Sequence, residues 1–307
     1  MKNKLIGMDF AVEVVQTVLM TGQFVYEKNE KPVSLLLIAS PESGKTTVAR
    51  KANLSIESDR RGEELAVVLT DATGNGLLKI LKEHPKATHI IFNDFSFVTG
   101  HKSQVTNHLF NIISALTEEG IDKTADPGGI HLYGEEGLKG VIACITPELV
   151  RDKRLIWNRT GLTTRMLPFF YEQGLSIRLK AEKYHAGLKD YATENEERTL
   201  TLPKKKMHIA ISTSYREQIL ELAKDLAKKL SREGRSKKNP HYKEKSFRRI
   251  IQFITLAKAH SLLMQPEDKK PRVHKKDIEF LRKLSRFVSY RKPEDLEESS
   301  SSSDSGE

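Results

Sequence analysis

The sequence predicts an α/β fold, in which a parallel sheet lies between two layers of helices, followed by an all-helical C-terminal part. Four apolar runs of strand length alternate with helical segments: residues 35–38, 65–69, 88–92 and 140–145. Continuously apolar runs of this kind are typical of parallel strands buried on both faces. Because the carboxyl ends of parallel strands meet at one edge of a sheet, we expect ligands at the loops that follow these runs.

Composition and length point to a soluble, cytoplasmic protein. The 307 residues can form one large domain or two smaller ones. No apolar run approaches the ~20 residues needed to span a bilayer, so no membrane contact is expected. Asp9 and Glu13 interrupt the N-terminal region where a secretion signal would be uncharged. The single cysteine, Cys144, excludes an intrachain disulfide and is interpreted as a small core residue.

The charge distribution predicts a polyanionic partner. The formal net charge is +10 at pH 7, yet the residues after Lys292 include six acidic side chains and no basic one. Leaving those six negative charges out of the count gives +16 for the rest of the chain. A basic body of this kind attracts polyanions, DNA or other nucleic acid first, whereas the alternative is a generic basic surface that helps solubility.

The elements around the apolar runs follow from periodicity and from turn residues. Helices are predicted where apolar residues recur every three to four positions, which they do at residues 7–20, 76–83, 103–118, 215–230, 247–264 and 274–290. Residues 51–64 are charged and expected to be irregular, and residues 120–139 are glycine-rich and expected to form a loop with a small hairpin. Residues 204–211 fit either a strand or an extended link.

These elements divide the chain into three parts. The predicted boundaries are an α/β domain at 1–203, a helical domain at 204–292 and a tail at 293–307. The tail is acidic and serine-rich, and such a composition predicts disorder.

The central motif is residues 34–50, SLLLIASPESGKTTVAR, which reads as strand, loop and helix. In a phosphate-binding loop of this form the backbone N–H groups point at the phosphates and the lysine reaches the outer ones. Thr46, after Lys45, would ligate Mg²⁺, so a nucleotide and Mg²⁺ are expected at this loop. The predicted binding residues are Ser40, Pro41, Glu42, Ser43, Gly44, Lys45, Thr46 and Thr47.

One position departs from the usual GxxxxGK[ST] pattern. Ala39 stands where the first glycine is expected. An alanine is tolerated there if the backbone keeps an ordinary φ. The alternative is a chance GKT at a strand-to-helix turn, but the strand before it and the helix after it favour the binding loop.

A carboxylate for the metal is expected at the end of the run 88–92. Asp94 is the candidate, since a hydrophobic strand that ends in an acidic residue commonly holds Mg²⁺ through water. Two alignments remain open: Asp94 holds the metal and Phe95 follows it, or Asn93 takes the metal position and Asp94 polarises water. As a further alternative, Asp94 is only a helix N-cap.

Three more side chains are candidates for the reaction. Thr146 follows the strand 140–145 and could orient the attacking water. Arg165, with Arg159 as a second choice, could enter a neighbouring subunit's site and stabilise charge on the transferring phosphate. Arg248, in the first turn of a helix where a cation is unfavourable, would be explained by an anionic partner. Arg249 next to it is interpreted as a basic surface residue.

The ordered set of motifs resembles the AAA+ ATPases over residues 4–292, and within them the minichromosome-maintenance helicases and related prokaryotic or mobile-element ATPases. ASPESGKT resembles Walker A, IIFNDF resembles Walker B and CITPE resembles sensor 1. GLTTRM is similar to the arginine-finger motif, and SFRRIIQFITLAKAHSLL to the lid helix with Arg248 at the sensor-2 position.

The resemblance implies an ATP hydrolase that forms a ring of identical subunits and acts on nucleic acid in replication, recombination or mobile-element maintenance. It further implies that Thr146 and Arg248 sense the nucleotide and that Arg165 comes from a neighbour. Asn93-Asp94-Phe95 replaces the family's Asp-Glu pair, which predicts slow turnover or a base supplied from elsewhere. Two alternatives stand beside it: a nucleotide-dependent binding switch with little hydrolysis, and a basic nucleic-acid-binding protein with a vestigial loop.

Overall fold

The computed structural model describes residues 6–54, 56–57, 65–121, 132–133, 137–186, 188, 200–203, 205–235, 242–266 and 270–291. The expectation for the tail at 293–307 lies outside these residues, as does most of the expected loop between 120 and 139. The strands are β1 (Ser34–Ile38), β2 (Ile56–Glu57), β3 (Ala66–Leu69), β4 (His89–Phe92), β5 (Gly120–Ile121), β6 (Leu132–Tyr133), β7 (Gly140–Ile145), β8 (Met166–Phe170) and β9 (Leu200–Thr201).

A five-stranded parallel sheet forms the centre of the fold, in the order β3-β4-β7-β1-β8. All four predicted runs are strands of it, which confirms the α/β class. Strands β1, β4 and β7 are buried throughout, as is typical of parallel strands covered on both faces, whereas Val68 and Leu69 of the outer strand β3 are half-buried. Two small sheets accompany it, parallel β2-β9 and antiparallel β5-β6, and the latter matches the hairpin expected after residue 120.

The helices are α1 (Asp9–Met20), α2 (Lys45–Leu54), α3 (Gly74–Glu83), α4 (Phe95–Gly100), α5 (Ser103–Glu118), α6 (Pro147–Thr160), α7 (Leu162–Arg165), α8 (Leu175–His185), α9 (Thr213–Gly234), α10 (Ser246–Met264) and α11 (Lys275–Phe287). Four of them, α4, α6, α7 and α8, were not predicted. Residues 51–54, expected to be irregular, complete α2. Within the described residues no helix combines the length and the apolar character that a membrane span requires.

Strand β8 is a fifth strand that the sequence analysis did not identify. It contains Pro168, which lacks a donor and is therefore tolerated only at a sheet edge. The outer side of this edge is covered by the chain after α11: Val288 bridges Phe169 in antiparallel fashion, and Ser289 N donates to Pro168 O at 3.2 Å. The last helix accordingly ends at Phe287 rather than at residue 290, because the following residues protect the edge strand.

Because the five strands are parallel, they all begin on one side of the sheet and end on the opposite side. We call these sides the amino edge and the carboxyl edge, as distinct from the outer strand β8. Ser34 and Met166 are level at the amino edge. The loop 39–44 follows Ile38 at the carboxyl edge. With a rise of about 3.3 Å per residue, the five residues of β1 separate the two edges by roughly 16 Å.

Helix α10 crosses the amino edge and joins the C-terminal helices to the sheet. Gln252 Nε2 donates to Arg165 O at 3.0 Å, just before β8. The buried Lys258 Nζ lies 2.7 Å from Glu30 Oε1 and 3.1 Å from Glu27 Oε2, on the segment that leads into β1. These contacts, together with a core that is continuous between the sheet and α9–α11, hold α10 against the amino edge.

His260 of α10 links three helices. Its Nδ1 lies 2.6 Å from Asp277 Oδ1 of α11, and its Nε2 lies 3.2 Å from Glu13 Oε1 of α1. Burial lowers the pKa of His260, but the hydrogen bonds to Asp277 and Glu13 outweigh that effect, and the pKa is raised overall. The imidazolium is therefore more stable in the folded chain than in the unfolded one.

This linkage makes the free energy of unfolding depend on pH. The contribution of His260 is fully present below its unfolded pKa of about 6.5 and is lost as pH rises through the higher folded pKa. We expect His260→Gln to cost about 1.5–3 kcal/mol at pH 6 and progressively less above neutrality. Urea unfolding at several pH values measures this, with the exposed His208→Gln as control. Parallel pH profiles for the wild type and His260→Gln would contradict it.

Candidate functional site

The loop 39–44 connects β1 to α2 at the carboxyl edge, where three strands end side by side. It is attached to the neighbouring strand because Ala39 N donates to Ile145 O at 3.1 Å. Among the non-glycine residues of the described chain, only Lys28 and Glu42 have positive φ. Ala39 therefore keeps an ordinary φ, and the condition for replacing the usual glycine is met.

Gly44 is favoured by its backbone conformation, and the flexible end of the Met8 side chain lies where a Cβ would project. Its φ is +76°, and a Cβ added to it would lie 2.7 Å from Met8 Cε. With Glu42 at φ 60°, the loop contains two residues in the left-handed region. Turns of this kind let backbone N–H groups converge on an anion. The buried Ser43 hydroxyl has no hydrogen-bond partner among the described residues, which fits a loop whose polar ligand supplies the partner.

Lys45 and Thr46 begin α2 and face this loop. Lys45 Nζ donates to Ser40 O at 3.2 Å, so its side chain folds back over the loop. Thr46 Oγ1 donates to Asn93 O at 2.9 Å, which places the hydroxyl one residue from Asp94. The start of a helix favours negative charge. The arrangement thus suits phosphate oxygens together with a hard cation held by a hydroxyl and a carboxylate.

Asp94 caps α4, as the third sequence interpretation allowed, because its Oδ1 accepts from Ser96 N at 2.9 Å. It remains half-buried at the carboxyl edge, so the capping role and a metal role are compatible. Asn93 is buried, and its Oδ1 accepts from Arg50 Nε at 3.3 Å. Both alignments of the motif therefore keep Asp94 as the available carboxylate.

Phe95 points into the core and not into the site. Its ring lies 5.4 Å from that of Phe92, 5.9 Å from Phe110 and 6.1 Å from Trp157. Aromatic packing of this kind, rather than chemistry, accounts for a phenylalanine after Asp94. The position that would carry a second carboxylate in the first alignment is thus part of the hydrophobic core.

The pKa of Cys144, a buried residue of β7, is affected by the charged groups of the site. Burial raises the pKa of this thiol to about 12, Lys45 acts to lower it and Asp94 acts to raise it. Cys144 Sγ is 3.8 Å from Lys45 O. The thiol stays protonated, in agreement with the interpretation of Cys144 as a core residue.

Thr146 follows β7, which lies between β1 and β4 in the sheet, so it lies between the strand ends that lead to Lys45 and Asp94. Its side chain caps α6 by accepting from Leu149 N at 3.5 Å, and Pro147 occupies the first helical position. The three adjacent strand ends thus present Lys45, Thr146 and Asp94 at one edge.

The predicted arginines lie at the opposite edge. Arg165 directly precedes β8 at the amino edge, and Arg248 Nη1 donates to Thr164 Oγ1 beside it at 3.0 Å. Neither can reach the loop 39–44 of its own chain across roughly 16 Å of strand. The side chain of Arg159 lies outside the described residues.

The interpretation of Arg249 as a surface residue was wrong. Its side chain is fully buried and forms an ion pair with Glu244 at 2.7 Å. Nη1 also donates to Met166 O at 3.0 Å and to Gln252 Oε1 at 2.7 Å. A charged side chain of this kind gives no local sequence signal of burial, since its partners come from other turns and other elements.

Sequence reasoning also missed side chains that contact the predicted residues. Met8 covers Gly44, Arg50 holds Asn93, and Glu118 and Lys31 join the arginines at the amino edge. Each lies far in sequence from its partner, so no spacing rule could have identified it.

No protein-family model matches the chain, and no curated protein is significantly similar to it.

Proposed function

We propose that the chain binds ATP with Mg²⁺ at the loop 39–44 and hydrolyses it as an AAA+ ATPase, working as an oligomer on nucleic acid. The observation that carries the proposal is that Lys45, Thr146 and Asp94 follow the carboxyl ends of three adjacent parallel strands. Ligands of open α/β sheets bind at the carboxyl ends of the strands, at the point where the chain changes its direction of progress across the sheet. Here that point lies beside β1, because β3, β4 and β7 are on one side of β1 and β8 is on the other.

Each residue has a task that its position supports. The backbone of the loop and Lys45 bind the phosphates, and Thr46 with Asp94 would hold Mg²⁺, which supplies charge neutralisation when bound. Thr146 orients the attacking water beside them. Oriented donors and charges of this kind account for most of the rate enhancement in phosphoryl transfer.

Among the C-terminal helices, α11 is proposed as the lid of this site, since α10 is held against the amino edge. The ring of Phe10 lies 6.0 Å from that of Phe280 of α11 and 5.3 Å from that of Phe287. Phe10 is two residues from Met8, whose side chain covers Gly44. A nucleotide on the loop would therefore lie near the junction of α1 and α11, where a shift of the helices could be coupled to binding.

The oligomer is proposed because Arg165 lies at the edge opposite its own loop. An arginine there can complete only the site of another copy. The basic character of the chain outside its acidic tail supports nucleic acid as the substrate. A chain that remains monomeric with ATP and Mg²⁺ bound would count against the neighbour's role.

A nucleotide-dependent switch is the second candidate, and a specific observation favours it. At the end of β4, Phe95 packs in the core, and Asn93 is an amide whose oxygen accepts from Arg50. Asp94 is therefore the one carboxylate among these three residues. A site with one carboxylate binds a metal but activates water less well.

Phosphate release from ATP with Mg²⁺, with and without DNA, tests the proposal. We expect slow release that DNA accelerates. Melting that ATP stabilises without any release would favour the switch. The absence of any response to nucleotide would contradict both and leave a basic nucleic-acid-binding protein.

Asp94→Asn decides between the two alignments of the motif. Asparagine still caps α4, so the fold should be retained. If Asp94 holds the metal, the gain in ATP affinity on adding Mg²⁺ falls at least tenfold, about 1.4 kcal/mol. If Asp94 instead polarises water, the Mg²⁺-dependent affinity is unchanged and only turnover is lost. Titrations with and without Mg²⁺ separate the outcomes, and we expect the first.

A further inference from the structure

Glu118, the last residue of α5, gathers three cations at the amino edge. Its Oε2 lies 2.5 Å from Lys31 Nζ, and its Oε1 lies 3.3 Å from Arg165 Nε and 3.1 Å from Arg248 Nη2. All four side chains are between 21 and 24% exposed. One negative charge is thus surrounded by three positive ones, and a partly buried excess of two positive charges remains.

The shared oxygen holds the two guanidinium groups close together against their repulsion. Burial lowers the pKa of Arg248, Arg165 adds to this effect, and Glu118 opposes it. Because both arginines reach one oxygen atom, they can also reach one larger anion in its place. Planar guanidinium groups bind phosphoryl oxygens in pairs of parallel hydrogen bonds.

The arginines are folded back onto the turn that precedes β8. Arg165 Nη1 donates to Gly161 O at 2.8 Å, next to the contact between Arg248 and Thr164. Gly161 has φ +73°, a conformation that favours glycine, and the end of the Arg165 side chain lies over it. The hydrogen bonds to this turn fix the position of both arginines, and Glu118 supplies their counter-charge in the isolated chain.

We propose that Glu118 is an internal counter-anion that occupies a phosphoryl-binding site formed by Lys31, Arg165 and Arg248. The ligand of this site is the terminal phosphate of a nucleotide bound to a second copy of the chain, which displaces the carboxylate. The chain's own loop is roughly 16 Å away along β1, so this site does not serve the nucleotide on that loop. The second-copy source rests on the proposed function, whereas the anion site itself does not.

The anion site is tested in the Lys45→Ala chain, which lacks the main cation of the loop 39–44. Inorganic pyrophosphate is the probe, measured by titration calorimetry. We expect Glu118→Gln to bind it about tenfold more tightly, because the competing charge is removed. The matched control is Glu119→Gln, an exposed neighbour with the same change of charge, which should change the affinity less than twofold, well below that factor of ten. Equal affinities for the two variants would overturn the proposal.

Two further variants distinguish an effect on the anion site from a general defect in folding. Adding Arg248→Gln to Glu118→Gln should remove the gain in pyrophosphate affinity. Glu118→Asp keeps the charge but withdraws the carboxylate by one methylene, and it should give a smaller gain. A tighter complex that survives the loss of Arg248 would place the anion elsewhere and contradict the site.

The second-copy source is tested with Lys45 intact, by sedimentation velocity with a non-hydrolysable ATP analogue and Mg²⁺. Glu118→Gln should assemble at a lower protein concentration than Glu119→Gln. Tighter pyrophosphate binding without any assembly would overturn the second copy as the source. If the chain with Lys45 intact fails to bind the ATP analogue, the proposed function is contradicted. The pyrophosphate titration still tests whether Glu118 occupies an anion site.

Discussion

Replacing Lys45 by alanine is expected to weaken ATP binding roughly 10–100-fold and to abolish measurable turnover. The lysine is the only cation at the loop 39–44 whose contacts the structure describes, and its Nζ already folds over the loop to Ser40 O. Each hydrogen bond between this ammonium and a phosphate oxygen contributes about 1.5–3 kcal/mol, and each 1.4 kcal/mol is a factor of ten in affinity. Binding of a fluorescent ATP analogue and phosphate release measure the two effects.

The control for this change is Lys82→Ala. Lys82 is an exposed lysine in the last turn of α3, so the net charge changes equally while the loop is untouched. Both variants should melt within a degree or two of the wild type, because neither side chain contributes to the core. Equal ATP affinities for the two variants would show that the loop does not bind the phosphates.

Replacing Arg249 by methionine is expected to destabilise the chain by about 3–5 kcal/mol. The change leaves the carboxylate of Glu244 buried without its counter-ion, and uncompensated buried charges carry this cost. It also removes the donor to Met166 O at the start of β8. Urea unfolding measures the loss, and Arg286→Met, an exposed arginine of α11, should stay within about 0.5 kcal/mol.

The double variant Arg249→Met with Glu244→Met separates the ion pair from simple packing. Replacing both charges by apolar groups of similar volume is often nearly neutral, so we expect the double variant to regain much of the lost stability. Tyr242, whose hydroxyl bonds to Glu244, would then lose an acceptor, and recovery should be incomplete. A double variant less stable than Arg249→Met would contradict this explanation.

Local sequence patterns were sufficient to predict an element and its bounds where a whole run, or one whole face of a helix, is apolar and buried. The runs at 140–145 and 103–118 are continuous or periodic in apolar residues, and their predicted bounds match β7 and α5. Short or charged elements were missed, since α4 has six residues and α6 has charged side chains along much of its length. Strand β8 contains a proline that only its position at a protected edge makes acceptable.

The sequence by itself determined the alternation of strands and helices, the loop 39–44 and the side chains that follow each strand, because these depend on neighbours within a few positions. Only the tertiary structure decided that Thr146 lies between Lys45 and Asp94, because strand order is set by pairing across the sheet. It also decided that Arg165 and Arg248 share Glu118 at the opposite edge, and that Arg249 is buried. Charged side chains obtain their partners from distant segments, and the energy of such pairs depends on burial and distance that no local pattern records.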